Sequence, residues 1–207
     1  FTQAKQEFEA GQFFTHPKYA KILVELLRPT KDSKIIELWC WAWAFCNFIT
    51  EDSKYYWFDI DNRALKIAKK LYPNFFFKEQ DMREITPNKY GIFDIAIWNP
   101  PFNIRLQDNT SYKEMLSQDI FLHRIEKMLV PYWKAWFIIP AKRLMNEMTH
   151  KSIINFILEH FYILWQYSLP KDAFKFVWVE SFETKIIILQ KKWSVDFHTV
   201  FQSAKGR

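Results

Sequence analysis

Short apolar runs alternate along this chain with stretches whose apolar residues recur at helical spacing, and this alternation limits the fold more than any other feature. Residues 16–28, HPKYAKILVELLR, place Tyr19, Ile22, Leu23, Leu26 and Leu27 on one helical face, with Thr15 as the expected N-cap and Pro17 in the first turn. Apolar strands are expected at 34–39, 55–60, 74–78, 92–98 and 134–140. Between them, Asp61 is expected to cap a helix whose buried face holds Ala64, Leu65, Ala68 and Leu71. A long amphipathic helix is expected over 113–129, through Leu116, Ile120, Phe121, Ile125, Met128 and Leu129, and another over 148–161. Two final strands, 162–169 and 183–190, have no clear helix between them, so they are expected to pair antiparallel. Strand–helix alternation of this kind predicts one α/β domain with a mostly parallel sheet, helices on both faces and an antiparallel C-terminal strand.

A chain of 207 residues can bury a sizeable core. No apolar run approaches the ~20 residues of a membrane span, and no signal peptide opens the sequence. Position 1 is Phe, which points to a fragment or a trimmed chain. The two cysteines, Cys40 and Cys46, have neither the number for a disulfide framework nor the neighbours for a zinc site. A reduced, cytoplasmic setting without a metal is expected. The net charge of +6 is compatible with a nucleic-acid partner and equally with a solvated basic surface.

Chemistry concentrates at strand ends. Asn99-Pro100-Pro101-Phe102 follows the apolar run 92–98 directly. A rigid turn accounts for the prolines, each of which fixes φ near −65°. It does not account for an Asn before them or a Phe after them. Ligands of open α/β sheets bind at the carboxyl ends of strands, where a stiff loop can aim an amide and a carbonyl. Asp59, at the end of the second strand, lies 22 residues after Glu37. That is about where nucleotide-binding sheets place an acid against ribose hydroxyls. Asp81 follows the third strand, where a carboxylate can accept from an exocyclic amine or simply sit in an exposed loop.

Five segments, GQFFTHPKYAKIL, IIELWCWAWAF, YYWFDIDNRAL, DIAIWNPPF and LPKDAFKFVWVESFETKIIILQKK, together resemble the N6-adenine DNA methyltransferases of restriction–modification systems. The likeness is greatest to modification subunits and fused methylases, and it runs from about residue 10 to residue 192. Asn-Pro-Pro-Phe alone is shared with enzymes that methylate protein glutamine or structural RNA. The N-terminal Gly-Gln-Phe-Phe-Thr and the Leu-Pro-Lys-Asp-Ala-Phe segments are more specific to the DNA adenine group. The resemblance implies a class I, Rossmann-like S-adenosylmethionine-dependent domain. Residues 31–192 would form the catalytic domain, 1–30 a helical segment bordering the cofactor and 193–207 a truncated C-terminal extension.

Carried over residue by residue, the resemblance implies that Phe14 and Thr15 border S-adenosylmethionine. Glu37 and the loop with Trp39, Cys40, Trp41 and Trp43 would lie under its methionine part. Asp59 would hold the ribose with Ile60 against the adenine, while Asp81 and Met82 would contact that ring. Asn99, Pro100, Pro101 and Phe102 would form the catalytic loop around the target base. An aromatic amine is a poor nucleophile because its lone pair is delocalised. An Asn99 side-chain oxygen and a Pro100 carbonyl accepting its two N–H bonds favour a pyramidal nitrogen, and Phe102 can stack on a flipped base. The sulfonium is its own activated leaving group, so the transfer requires no metal.

One departure is systematic. There are 10 Trp and only 3 Gly. Globular chains average about 7% Gly, and the two counts together come close to that share. Trp39, Trp41 and Trp43 occupy the glycine-rich turn of the resembled family, and Trp57, Trp98, Trp133, Trp136 and Trp178 also stand where it usually carries Gly. Such a turn needs backbone close to the ligand and positive φ, and an indole supplies neither. One replacement type at many sites points to decoding: UGA, read as glycine in some bacterial lineages, translated here as tryptophan.

The expected activity is therefore site-specific DNA adenine-N6 methylation. Double-stranded DNA is the expected partner, together with a specificity subunit or a fused target-recognition region, and no membrane is expected. N4-cytosine DNA, RNA adenine and protein glutamine methylation remain open, as does an inactive methyltransferase-fold module that binds nucleic acid.

Overall fold

The computed structural model describes residues 15–38, 44–50, 52–101, 104–107, 114–142, 147–174 and 183–193. Phe14, Trp39, Cys40, Trp41, Trp43 and Phe102, and the expected C-terminal extension from 194 onward, lie outside them. The strands are β1 (Lys34–Leu38), β2 (Lys54–Asp59), β3 (Phe76–Glu79), β4 (Phe93–Trp98), β5 (Arg105–Gln107), β6 (Glu114–Leu116), β7 (Leu129–Pro140), β8 (Phe161–Ser168) and β9 (Thr184–Lys191). The helices are α1 (Pro17–Leu27), α2 (Asn62–Leu71), α3 (Pro87–Tyr90), α4 (Ser117–Met128) and α5 (Glu147–His160).

Seven strands form one sheet in the order β3-β2-β1-β4-β7-β9-β8. The first five of these run parallel, and β9 inserts antiparallel between β7 and β8. The expected sheet is therefore present. Strand periodicity sends alternate residues to two cores. One face packs Ile35, Trp57, Ile95, Ile97 and Trp136 against Ala20 and Leu23 of α1 and Leu65 and Ala68 of α2. The other packs Ile36, Leu38, Ala96 and Phe137 against Ile120, Phe121 and Ile125 of α4 and Ile153 and Ile157 of α5. Among the described residues no helix is long and apolar enough to cross a membrane.

Several local expectations are corrected. His16, not Thr15, caps α1: its Nδ1 accepts from the Lys18 amide at 3.2 Å. The buried stripe of α1 is Ala20, Leu23, Val24 and Leu27, while Ile22 and Leu26 are half exposed. Small Ala20 lets α1 approach the sheet along that stripe, leaving Ile22 and Leu26 to line an open groove beside Trp165 and Tyr167. Leu71, in the last turn of α2, is 56% exposed. The long helix expected from 113 starts only at Ser117, because Glu114–Leu116 pair antiparallel with Arg105–Gln107 in a separate hairpin. Strand β7 begins at Leu129, earlier than expected. It absorbs extra residues in an irregularity, since Phe93 pairs with Leu129 but Ile95 with Lys134. Tyr132 there takes φ 66°, a left-handed conformation that favours glycine. Asp61 caps α2 as expected, its Oδ1 accepting from the Arg63 amide at 2.8 Å.

The tryptophans of the sheet are anomalous. Trp57, Trp98 and Trp136 are 0% exposed, and no indole nitrogen of the three has a hydrogen-bond partner among the described residues. Buried Trp N–H groups usually find one. Trp98 is pressed to a ring-centroid distance of 3.8 Å from Phe121, inside the 4.5–7 Å preferred by aromatic pairs.

Candidate active site

The strand order reverses at β1, which has β2 and then β3 on one side and β4 on the other. Such a switch point opens a crevice at the carboxyl ends of the strands. Glu37, near the end of β1, sits opposite Trp57 on β2 and Ile97 on β4. Asp59 and Asn99 each lie two residues beyond those partners, so they flank the end of β1 about two strand spacings, roughly 10 Å, apart. The two-residue alternation puts Glu37, Asp59 and Asn99 on the α1 and α2 face. Three polar residues scattered through the sequence thus meet at one edge of the crevice.

Asp59 is 1% exposed, and its Oδ1 accepts from the Asp61 amide at 2.8 Å. Its own carbonyl accepts from the Gln80 amide at 2.9 Å, tying the end of β2 to the loop after β3. Ile60, the next residue, is 47% exposed and offers apolar surface beside the carboxylate. Glu37 is 1% exposed. Burial pushes the Cys46 thiol well above its ordinary pKa, and the nearby Glu37 carboxylate adds to that rise. Cys46 is therefore a neutral core side chain, not a thiolate ligand.

Asn99 is reached from the other direction. Its Nδ2 donates to Thr15 Oγ1 at 3.0 Å, across 84 positions of sequence. Pro100 and Pro101 are buried. The Pro101 carbonyl accepts from Ser117 Oγ at 2.5 Å, and the Ser117 amide donates to the Ile104 carbonyl at 2.8 Å. The first residue of α4 thus ties down the chain on both sides of residues 102–103. Sequence reading missed Ser117, which looked like one polar residue inside a long helix. Ser117→Ala removes the donor to a buried carbonyl. It is expected to cost about 1–3 kcal/mol, seen as a lower urea midpoint with an unchanged slope.

Asp81 is engaged within its own turn. Its carboxylate accepts from the Arg83 amide at 2.8 Å and is paired with the Arg83 guanidinium at 2.6 Å. Burial alone would raise its pKa, but the Arg83 hydrogen bonds and charge outweigh this and hold it below the usual carboxylate value. Met82 is 2% exposed and packed in the core, with its side chain away from open solvent. Among the described residues, no group of three or more His, Cys, Asp or Glu converges.

No protein-family model and no curated protein matches the chain. Solved structures do match. A protein from Listeria monocytogenes assigned to the class I S-adenosylmethionine-dependent methyltransferases aligns with TM-score 0.66 at 16% identity, over 86% of this chain and 59% of its own. A protein from Vibrio vulnificus assigned as a type I restriction enzyme modification subunit aligns with TM-score 0.72 at 14% identity, over 87% of this chain and 45% of its own. The N-methyltransferase NodS from Bradyrhizobium japonicum aligns with TM-score 0.59 at 14% identity, over 85% of this chain and 96% of its own. This is the class I methyltransferase fold. The chain spans about half the length of the first two proteins and nearly all of the third. Within this methyltransferase fold, the crevice at β1, β2 and β4 is where the sequence-predicted residues Glu37, Asp59, Ile60 and Asn99 come together.

Proposed function

We propose that this chain is the catalytic part of a DNA adenine-N6 methyltransferase of the restriction–modification type, with S-adenosylmethionine as methyl donor. The observation that carries the reading is the placement of Asn99-Pro100-Pro101 across the switch point from Asp59, on the same face of the sheet. The described residues fit the donor. Two buried carboxylates, Glu37 and Asp59, stand at the crevice, and exposed Ile60 lies beside Asp59. Asp59 suits a vicinal diol, and Ile60 suits the face of an adenine. S-adenosylmethionine supplies an electrophilic methyl group on a sulfonium.

The chain's own part in the reaction is positioning. The Asn99 side-chain oxygen and the Pro100 carbonyl accept the two N–H bonds of the target amine. They hold its nitrogen toward the crevice and draw its lone pair out of the ring. The two prolines and Ser117 fix that loop before substrate arrives, and Phe102 stacks on the base once it leaves the duplex. DNA binding and a separate target-recognition region or subunit belong to the same proposal. The structural likeness to a restriction modification subunit supports it, as do the Gly-Gln-Phe-Phe-Thr and Leu-Pro-Lys-Asp-Ala-Phe segments.

The indoles do not fit. By the family resemblance Trp39, Trp41 and Trp43 would crowd the donor, and three more indoles lie buried with N–H groups that have no partner among the described residues. The reading therefore includes glycine, encoded by UGA, at the ten tryptophan positions of the natural protein. The test is to incubate the ten-glycine form with unmethylated double-stranded DNA and labelled donor, then digest the DNA to nucleosides. N6-methyldeoxyadenosine is the expected product, and Asp59→Ala is expected to weaken donor binding at least tenfold. Label in N4-methyldeoxycytidine would overturn the assignment, as would label that passes to RNA or protein and not to DNA when all three are offered.

A further inference from the structure

We infer that Thr15 is a positioning residue for the Asn99 amide, anchoring its NH2 so that the side chain is held at the crevice for the substrate. This inference rests on the adenine-amine reading of Asn99. A side-chain amide has a donor end and an acceptor end, and rotation about its last torsion is soft and nearly two-fold. Accepting from an amine requires the oxygen to face the crevice and the NH2 to point away. The NH2 then needs an acceptor of its own in a place that is mostly dry. Thr15 Oγ1 stands there, 3.0 Å from Asn99 Nδ2.

A second observation separates this contact from ordinary helix capping. A Thr just before a helix normally spends its hydroxyl on the first-turn amides. Here His16 caps α1 through Nδ1, so the Thr15 hydroxyl is turned to Asn99. The residue is 6% exposed, its β-branched side chain is stiff, and α1 is anchored on the sheet by Ala20 and Leu23, both 0% exposed. The hydroxyl is therefore held at a fixed point relative to the end of β4. Orientation of this amide and bordering of the cofactor are different roles, and they predict different kinetics.

Thr15→Val keeps the shape and removes the hydroxyl, while Thr15→Ser keeps the hydroxyl. Both are made in the full chain, in the tryptophan and the ten-glycine forms, beside Asn99→Ala as the inactive reference. The expected result for Thr15→Val is kcat about tenfold lower, the scale of one lost hydrogen bond, with donor affinity within twofold of the parent. Thr15→Ser should restore kcat to within threefold. In the free protein, the Asn99 side-chain NH2 signals in a 15N-resolved NMR spectrum should shift in Thr15→Val and return in Thr15→Ser. Unchanged Asn99 signals overturn the inference, as does an unchanged kcat or a loss confined to donor affinity. Should the parent methylate no adenine, the proposed function fails by itself, and the NMR comparison still decides whether Thr15 holds the amide.

Discussion

The full chain with glycine at all ten tryptophan positions is expected to unfold at a higher temperature than the tryptophan form and to bind S-adenosylmethionine more tightly. In a genuine tryptophan core the sign would be the reverse. Truncating a buried Trp even to Ala costs about 3–5 kcal/mol through the cavity left behind. Three such changes at Trp57, Trp98 and Trp136 would then unfold a domain whose total stability is on the order of 5–15 kcal/mol. The structure offsets much of that cost, and the expected sign rests on the proposal that glycine stands at these positions in the natural protein. All three side chains are fully buried, and their indole N–H groups have no partner among the described residues. A buried unsatisfied donor costs about 1–3 kcal/mol. Trp98 is also packed too close to Phe121, and overpacking costs about 1–3 kcal/mol more. Thermal melts of both forms in one buffer read the sign, and titration of labelled donor reads the crevice. The coding DNA gives an independent check: UGA is expected at most of the ten positions and GGN at Gly11, Gly91 and Gly206. UGG throughout, or a lower melting temperature for the ten-glycine form, would show that the indoles belong.

Gly91 shows what retained glycine does here. It follows α3 with φ 75°, and a Cβ there would meet Lys34 Nζ at 3.1 Å. A side chain would be strained by the backbone and confined by its neighbour.

Asn99→Ala is expected to abolish methyl transfer in the active form while donor binding survives. Asn99 sits at the end of β4, on the far side of β1 from Asp59, and under the proposed function its amide would serve the target amine and not the ribose. Removing one positioned hydrogen-bonding group from a preorganised site costs about 2.7–4 kcal/mol, a factor of roughly 10²–10³ in kcat. The measurement is single-turnover methylation with saturating DNA, paired with a donor titration of the same preparation. A rate within threefold of the parent would remove Asn99 from the chemistry. Donor affinity falling in step with the rate would instead move it to the cofactor side of the crevice.

Sequence alone determined the elements whose signals are local. Alternation and helical spacing placed the seven strands of the main sheet, though β7 begins five residues earlier than expected, and most of the buried faces of α2 and α4, Leu71 excepted. Asp61 was legible as a cap because capping is decided within three residues. Asn99-Pro100-Pro101 was legible as a strand-end loop because two prolines cannot extend a central strand. The C-terminal antiparallel pairing followed from the lack of a crossover helix between the last strands. The β5–β6 hairpin was not legible, since three-residue strands carry too little periodicity to stand out from the helix that follows. Nor was the choice of His16 over Thr15 as cap, because either side chain can accept from the first turn. That choice is linked to a hydrogen bond between residues 84 positions apart. Ser117 beneath Pro101, and the shared face of Glu37, Asp59 and Asn99, likewise depend on strand order and register. Those are set when β1 pairs with β2 on one side and β4 on the other, a long-range pairing that no local pattern encodes.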